Sequence, residues 1–102
     1  MRRAPRLFFR VQGEVAVNGQ QTPKCDLFVH DASDGRIRDR VHIAGSFSET
    51  FPASWFPRQC YFVVTCEGAK APYRSQIFKV GYGEHFKGPL AIGRIVLDQD
   101  PK

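Results

Sequence analysis

The chain has 102 residues, of which 42% are hydrophobic, and it carries a net charge of +5. This length fits one folded domain, and the hydrophobic content excludes a disordered chain. No apolar run approaches the roughly 18 residues of a membrane-spanning helix, so we predict no transmembrane segment. Near the N-terminus, Arg10 and Gln12 interrupt the apolar stretch, and the sequence shows no signal peptide.

The positive charge is concentrated at the N-terminus. The first ten residues contain no acid and hold four of the 15 basic residues, namely Arg2, Arg3, Arg6 and Arg10. The rest of the chain has 11 basic and 10 acidic residues and is nearly neutral. We predict that residues 1–6 form a basic tail, which is either solvated or a contact for a polyanion.

Two strands are predicted before the first tight turn. Residues 7–17 alternate with a period of two, with apolar side chains at most odd positions and polar ones at most even positions. Residues 25–30 alternate as well, with one face formed by Cys25, Leu27 and Val29 and the other by Asp26, Phe28 and His30. The Asp34-Gly35 pair then predicts a tight turn.

A row of basic side chains is predicted on the next strand, residues 36–43. Ile37, Val41 and Ile43 are expected to face the core. The residues expected to project outward are Arg36, Arg38, Arg40 and His42. Their side chains would lie about 6.6 Å apart, a spacing suited to a polyanion or an acidic partner surface. The alternative is a charged edge strand whose arginines prevent aggregation.

The segment "PASWFP", residues 52–57, is predicted to connect two strands, because proline removes ladder donors. It follows a short strand over residues 47–51. Its aromatic residues, Trp55 and Phe56, either close one end of the core or anchor a protein partner.

The most apolar predicted strand covers residues 59–66. Both of its faces are apolar, which predicts a central strand covered on both sides. Residues 75–80 and 91–97 supply two more strands. The pattern therefore predicts an all-β, immunoglobulin-like sandwich of about seven strands over residues 7–98, followed by a tail over residues 99–102.

The three cysteines allow at most one internal disulfide. Cys60 and Cys66 would lie about 20 Å apart along one strand face, beyond the ~7 Å limit for a bridge. If the strands containing Cys25 and Cys66 are antiparallel neighbours, these two residues approach each other and Cys60 stays free. The first interpretation, however, is that all three are small core residues, with the Cys25–Cys66 bridge as the alternative. No CxxC motif or adjacent base indicates a metal-binding or catalytic thiol.

The order of several short motifs resembles the transthyretin-like (prealbumin-like) and carboxypeptidase regulatory-like β-sandwich domains. These motifs are Val11-x-Gly13-x-Val15, Asn18-Gly19, Leu27-x-Val29, Gly45-Ser46-Phe47, Tyr61-x-Val63 and Gly93-x-Ile95-x-Leu97. The resemblance implies two Greek-key sheets and a structural or binding module without chemistry of its own, which is often exported. One related branch hydrolyses hydroxyisourate with a terminal Tyr-Arg-Gly-Ser, to which "YRSQ" at residues 73–76 is only superficially similar.

No catalytic or metal-binding constellation is predicted. His30, His42 and His85 match no ligand spacing, and "GSFSE" at residues 45–49 lacks the second glycine of a nucleophile elbow. We expect no enzymatic activity and no cofactor.

The first functional expectation is a binding or structural module that engages protein through loops or a strand edge. The alternative is a nucleic-acid or polyanion binder, such as a five-stranded OB-like barrel, with Phe8 and Phe9 stacking on bases. A hydrolase of the transthyretin-related type comes third.

Overall fold

The structure is a computed structural model that describes residues 8–52, 59–80 and 89–100. Every regular element in these ranges is a β-strand, and the strands form two sheets. They are β1 (Phe8–Val17), β2 (Cys25–Asp31), β3 (Ile37–Ile43), β4 (Ser46–Pro52), β5 (Gln59–Cys66), β6 (Tyr73–Arg74), β7 (Phe78–Lys79) and β8 (Leu90–Leu97). The prediction of an all-β fold is confirmed.

The first sheet has three strands in the order β4-β1-β8. β1 pairs antiparallel with β4 and parallel with β8. A bulge shifts the β1–β8 register beside Gly13, where a Cβ atom would come within 3.0 Å of both the carbonyl oxygen of Gly93 and the ring of Phe47. Gly13 therefore lets the two strands and the core aromatic ring approach closely.

The second sheet has the order β3-β2-β5-β6, and β7 also pairs with β5. The central position predicted for β5 is confirmed. Of the strand predicted over residues 75–80 only β7 forms, and the additional short strand β6 brings the count among the described residues to eight. Between them the hydroxyl of buried Ser75 accepts a hydrogen bond from the backbone N–H of Phe62 at 2.8 Å. A side-chain oxygen thus takes the place of a backbone carbonyl, and the ladder is interrupted.

Side chains from both sheets form one apolar core. The first sheet contributes Phe9, Val11, Val15, Val17, Phe47, Phe51, Ile95 and Leu97, and the second contributes Cys25, Leu27, Val29, Ile43, Cys60, Phe62 and Val64. In β1, β2 and β5 these are alternate residues, because successive side chains of a strand point to opposite faces. Two sheets around a shared core are consistent with a β-sandwich.

The residues after β8 are tied to the turn that follows β5. Gln99 forms a β-bridge with Ala69, and the N–H of Asp100 donates to the carbonyl of Gly68 at 2.6 Å. The C-terminal tail was predicted to begin at residue 99, but Gln99 and Asp100 are bonded to the domain. Composition gave no signal for this contact because both residues are polar and exposed.

A bulge in β3 changes which side chains face outward. Asp39 lies opposite Val29, but Ile37 rather than Arg38 lies opposite His30. Ile37 was predicted to face the core, and it is instead 56% exposed. Strict alternation fails here because the extra residue of a bulge shifts the following side chains.

Candidate binding surface

The outer face of the second sheet carries apolar side chains. On β5, Phe62 and Val64 are buried in the core, whereas Tyr61 and Val63 on the opposite face are only half-buried. No element of the described ranges packs over this face. The covering predicted for the outer side of β5 is not seen among the described residues, which form two sheets.

Four side chains cross this face in one line. Arg40 pairs with Phe28, Phe28 pairs with Val63, and Val63 pairs with Arg74, so one residue from each of β3, β2, β5 and β6 lies at the same level. We call this line the arginine-flanked row. Neighbouring strands are about 4.8 Å apart, so its two arginines are separated by about 14 Å at the backbone. Both arginines are exposed, and Phe28 and Val63 between them are half-buried.

An ordered stack of side chains lies beside this row. The rings of His30 and Tyr61 are 4.8 Å apart and nearly parallel, at 13°. The Arg74 guanidinium carbon lies 4.2 Å from the centre of the Tyr61 ring, in a cation–π contact. His30 Nδ1 donates to the carbonyl of Gly35 at 2.9 Å, since a carbonyl can only accept. These contacts fix the positions of the Arg74 and Tyr61 side chains.

The next line of cross-strand residues is polar. It consists of His42, Asp26 and Thr65. His42 Nδ1 contacts Asp26 Oδ1, which is an ion pair when His42 is protonated. The buried Oδ1 accepts no well-aligned hydrogen bond from the described residues. A cleft of about 700 Å³ lies over this end of the sheet.

The predicted row of four basic side chains on β3 is interrupted. Arg38 turns toward the β2–β3 loop and donates to Asp34 Oδ2 at 2.9 Å, with Asp31 at 3.9 Å. Arg36 also lies 3.9 Å from Asp34. The bulge in β3 removes Arg38 from the line that alternation predicts, and two carboxylates balance the charges. Arg40 and His42 remain on the outer face.

The outer face of the first sheet is polar by comparison. Its exposed residues include Gln12, Glu14, Ser46, Ser48 and Arg94. This is the usual surface of a half-buried antiparallel pair, apolar inside and polar outside. The described side chains of this face also include Val96, which is 52% exposed, whereas the outer face of the second sheet carries the aromatic rings of Phe28 and Tyr61.

Phe28, Val63 and Arg74 were not identified as site residues from the sequence. The available signal was that Phe28 and Val63 fall on the faces of β2 and β5 that point away from the core. Their alignment with Arg40 and Arg74 depends on strand order, which the sequence does not give.

The structure joins Cys25 and Cys66 in a disulfide. The two residues lie directly opposite each other on antiparallel β2 and β5, with Cα atoms 4.0 Å apart. Cys60 is free and buried, and burial, together with the negative charge of Asp31, raises its pKa to about 12. The Cys60 thiol is therefore protonated at neutral pH and is not a nucleophile.

Other predicted site residues are placed as follows. Trp55, Phe56 and His85 lie outside the described residues. Phe9, predicted to stack on bases, is 1% exposed and packs on Phe51 in the core, so it presents no ring at the surface. The described ranges hold no cluster of three metal-ligating side chains.

No protein-family model and no curated protein matches the chain. Within the described ranges no helix has the length and hydrophobicity needed to cross a membrane.

Proposed function

We propose that the chain is a non-catalytic protein-binding module whose contact surface is the outer face of the second sheet. The observation that carries this proposal is the arginine-flanked row, in which two half-buried apolar side chains lie between two exposed arginines. An apolar centre with a charged rim is the usual anatomy of a protein interface, where aromatic residues and arginine are enriched.

The exposed apolar atoms of this face support the same function. Besides Phe28 and Val63, the outer face carries the Tyr61 ring and Ile37, which is 56% exposed. On a small protein, a contiguous apolar patch at the surface often marks an interaction site, whereas apolar side chains exposed singly are common.

Binding through the free edge of β3 is less well supported. The bulge that displaces Arg38 interrupts the row of backbone N–H and carbonyl groups that an added strand would need. Arginines along an edge also prevent strand addition. We therefore assign Arg40 to the sheet face and Arg36 and Arg38 to protection of the edge.

The second candidate function is polyanion binding. The row and its neighbours carry Arg40 and Arg74 against Asp26, a small excess of positive charge. Nucleic-acid affinity comes from many phosphate contacts, and this face offers few. Eight strands in two sheets also differ from the five strands of an OB barrel.

We also propose that the chain is related to the transthyretin-like or carboxypeptidase regulatory-like domains. This relationship would imply seven strands with Greek-key connections. Three glycines of the motifs that suggested it, Gly19, Gly45 and Gly93, adopt positive φ angles of 85°, 62° and 88°. Such angles explain why glycine occupies these positions. A hydrolase related to this family is third, since no described cluster suggests chemistry.

A peptide selection tests the proposed function. A phage-displayed library of random peptides is selected on the wild-type protein, and the enriched peptides are then measured on the double variant Arg40→Glu/Arg74→Glu. The control is Arg94→Glu, which makes the same charge change on the first sheet. All three arginines are exposed, so both variants should keep the wild-type circular dichroism spectrum, while the double variant should melt slightly lower because it loses the contact between Arg74 and Tyr61.

We expect enriched peptides that bind the wild type and Arg94→Glu equally and lose binding to the double variant. Peptides that bind all three proteins alike, or no enrichment at all, would contradict the proposed surface. Labelled oligothymidylate and heparin are measured in parallel. Retention of these polyanions that depends on Arg40 and Arg74, without any enriched peptide, would favour the polyanion function instead.

A further inference from the structure

The spacing of the arginine-flanked row restricts what can lie across it. The row runs perpendicular to the strands, and three inter-strand steps of about 4.8 Å place the Cα atoms of its two arginines about 14 Å apart. In an extended peptide, residues i and i+4 are about 13 Å apart, and residues i, i+2 and i+4 point to the same side. An extended segment that crosses the sheet along the row can therefore place three of its own side chains, those at i, i+2 and i+4, against the row.

We propose that the surface binds an extended acidic segment of a partner protein, with carboxylate side chains at positions i and i+4 and an apolar side chain at i+2. This inference rests on the proposed function and specifies its partner. The carboxylates pair with Arg40 and Arg74, and the apolar side chain lies over the junction between Phe28 and Val63, which are cross-strand neighbours.

Both arginines are suited to this role. Neither forms an ion pair with any residue that the structure describes. The Tyr61 ring covers one face of the Arg74 guanidinium, and this leaves the N–H donors along its edge directed away from the ring. Such an edge binds a carboxylate with two parallel hydrogen bonds.

A helical partner fits the same row less well. Two residues on one face of a helix, i and i+7, are about 10.5 Å apart at 1.5 Å per residue, short of the row by more than 3 Å. Residues i and i+9 reach about 13.5 Å, but at 100° per residue they point to opposite sides of the helix. Extended backbone meets both the distance and the direction.

The neighbouring polar line fixes where the segment lies. Asp26 is central in the line formed by His42, Asp26 and Thr65, about 6.6 Å along β2 from Phe28. This line offers an acidic segment only a carboxylate in contact with His42, whereas the arginine-flanked row offers two arginines without an ion-pair partner among the described residues. The binding register is thus set by charge as well as by the apolar centre.

Synthetic peptides test the inference, with binding followed by fluorescence anisotropy. The probe is fluorescein-Ser-Glu-Thr-Leu-Thr-Glu-Ser, in which the two glutamates are four residues apart and the leucine lies between them. The spacing control is fluorescein-Ser-Glu-Glu-Thr-Thr-Leu-Ser, which has the same composition. The charge control replaces both glutamates of the probe with lysine.

We expect the probe to bind the wild type more tightly than the spacing control. Replacing one glutamate should weaken binding about 2- to 5-fold, the range typical of an exposed ion pair. The variant Arg40→Glu/Arg74→Glu should prefer the lysine peptide. Such a reversal would show that the charged side chains of the peptide contact positions 40 and 74 directly. Arg94→Glu should behave as the wild type.

Equal binding of the probe and the spacing control would overturn the inference. The inference would also be overturned if Arg94→Glu preferred the lysine peptide as the double variant does. If the library instead yields peptides of another pattern that still require Arg40 and Arg74, the proposed function stands and this inference fails. Binding of oligothymidylate alone, or self-association that Arg40→Glu abolishes, also overturns it, in favour of nucleic acid or a second copy of the chain.

Discussion

Removal of the Cys25–Cys66 disulfide should lower the free energy of unfolding by several kcal/mol. The bridge joins residues 41 apart in sequence. In the chain-entropy description, closing a loop of this length lowers the entropy of the unfolded chain by about 13 cal/mol/K, or about 4 kcal/mol at 25 °C. Because a domain of this size is stable by only about 5–15 kcal/mol, this is a large fraction of the total.

Urea denaturation of the oxidised and the reduced wild type measures this effect with no change of sequence. We expect the reduced protein to unfold at a lower urea concentration, with a steeper dependence on urea because its unfolded chain is less compact. The double variant Cys25→Ala/Cys66→Ala should match the reduced protein to within about 1 kcal/mol, allowing for the loss of two small core side chains.

Thiol counting provides the control. The unfolded, unreduced protein should show one reactive thiol, from Cys60, and three after reduction. Three thiols without reductant, or identical urea midpoints before and after reduction, would refute the loop-closure argument and favour three core cysteines.

Four further changes test other parts of the fold. The Cys60 thiol, whose pKa burial raises to about 12, should resist iodoacetamide at pH 7 until the protein unfolds; rapid alkylation of the native protein would contradict its placement. Gly93→Ala should cost about 1–2 kcal/mol in urea unfolding, because φ is 88° while a Cβ would meet no atom within 4 Å; no change would show that the positive φ is absent. Ser75→Ala should cost about 1–3 kcal/mol because it leaves a buried backbone N–H unpaired, and a neutral result would refute that bond. Hydrogen bonds from Ser33 lower the pKa of Asp31, so its contribution to stability is present above the pKa of the unfolded state and is lost as the pH falls through the folded-state pKa; Asp31→Asn should flatten this part of the acid-unfolding curve, and an unchanged curve would contradict it.

The alternation of apolar and polar side chains correctly predicted the strands that have one face in the core. In β1, β2 and β5 the buried residues are those expected from a period of two, as with Leu27 and Phe62. The opposition of Cys25 and Cys66 followed from the same alternation once the two strands were taken as antiparallel neighbours. Because one face of each such strand is buried, apolar residues recur at every second position of its sequence.

The features missed from the sequence depend on particular tertiary contacts. The β3 bulge reverses the orientation expected for Ile37, and no residue type marks the insertion of one residue into a strand. The apolar outer side of β5 was interpreted as a covered face, since composition alone does not distinguish such a face from one that no described element covers. The arrangement of Arg40 beside Phe28 and of Val63 beside Arg74 depends on strand order, which arises from pairing between distant segments.

Amide chemical shifts measured during a peptide titration test most directly whether the outer face of the second sheet is the binding surface. The ¹⁵N-labelled wild-type protein is titrated with the Ser-Glu-Thr-Leu-Thr-Glu-Ser peptide or with a peptide selected from the library. Our account predicts that the largest changes fall on the arginine-flanked row and on Tyr61. Changes confined to β1, β4 and β8, or no saturable changes with any selected peptide, would contradict it.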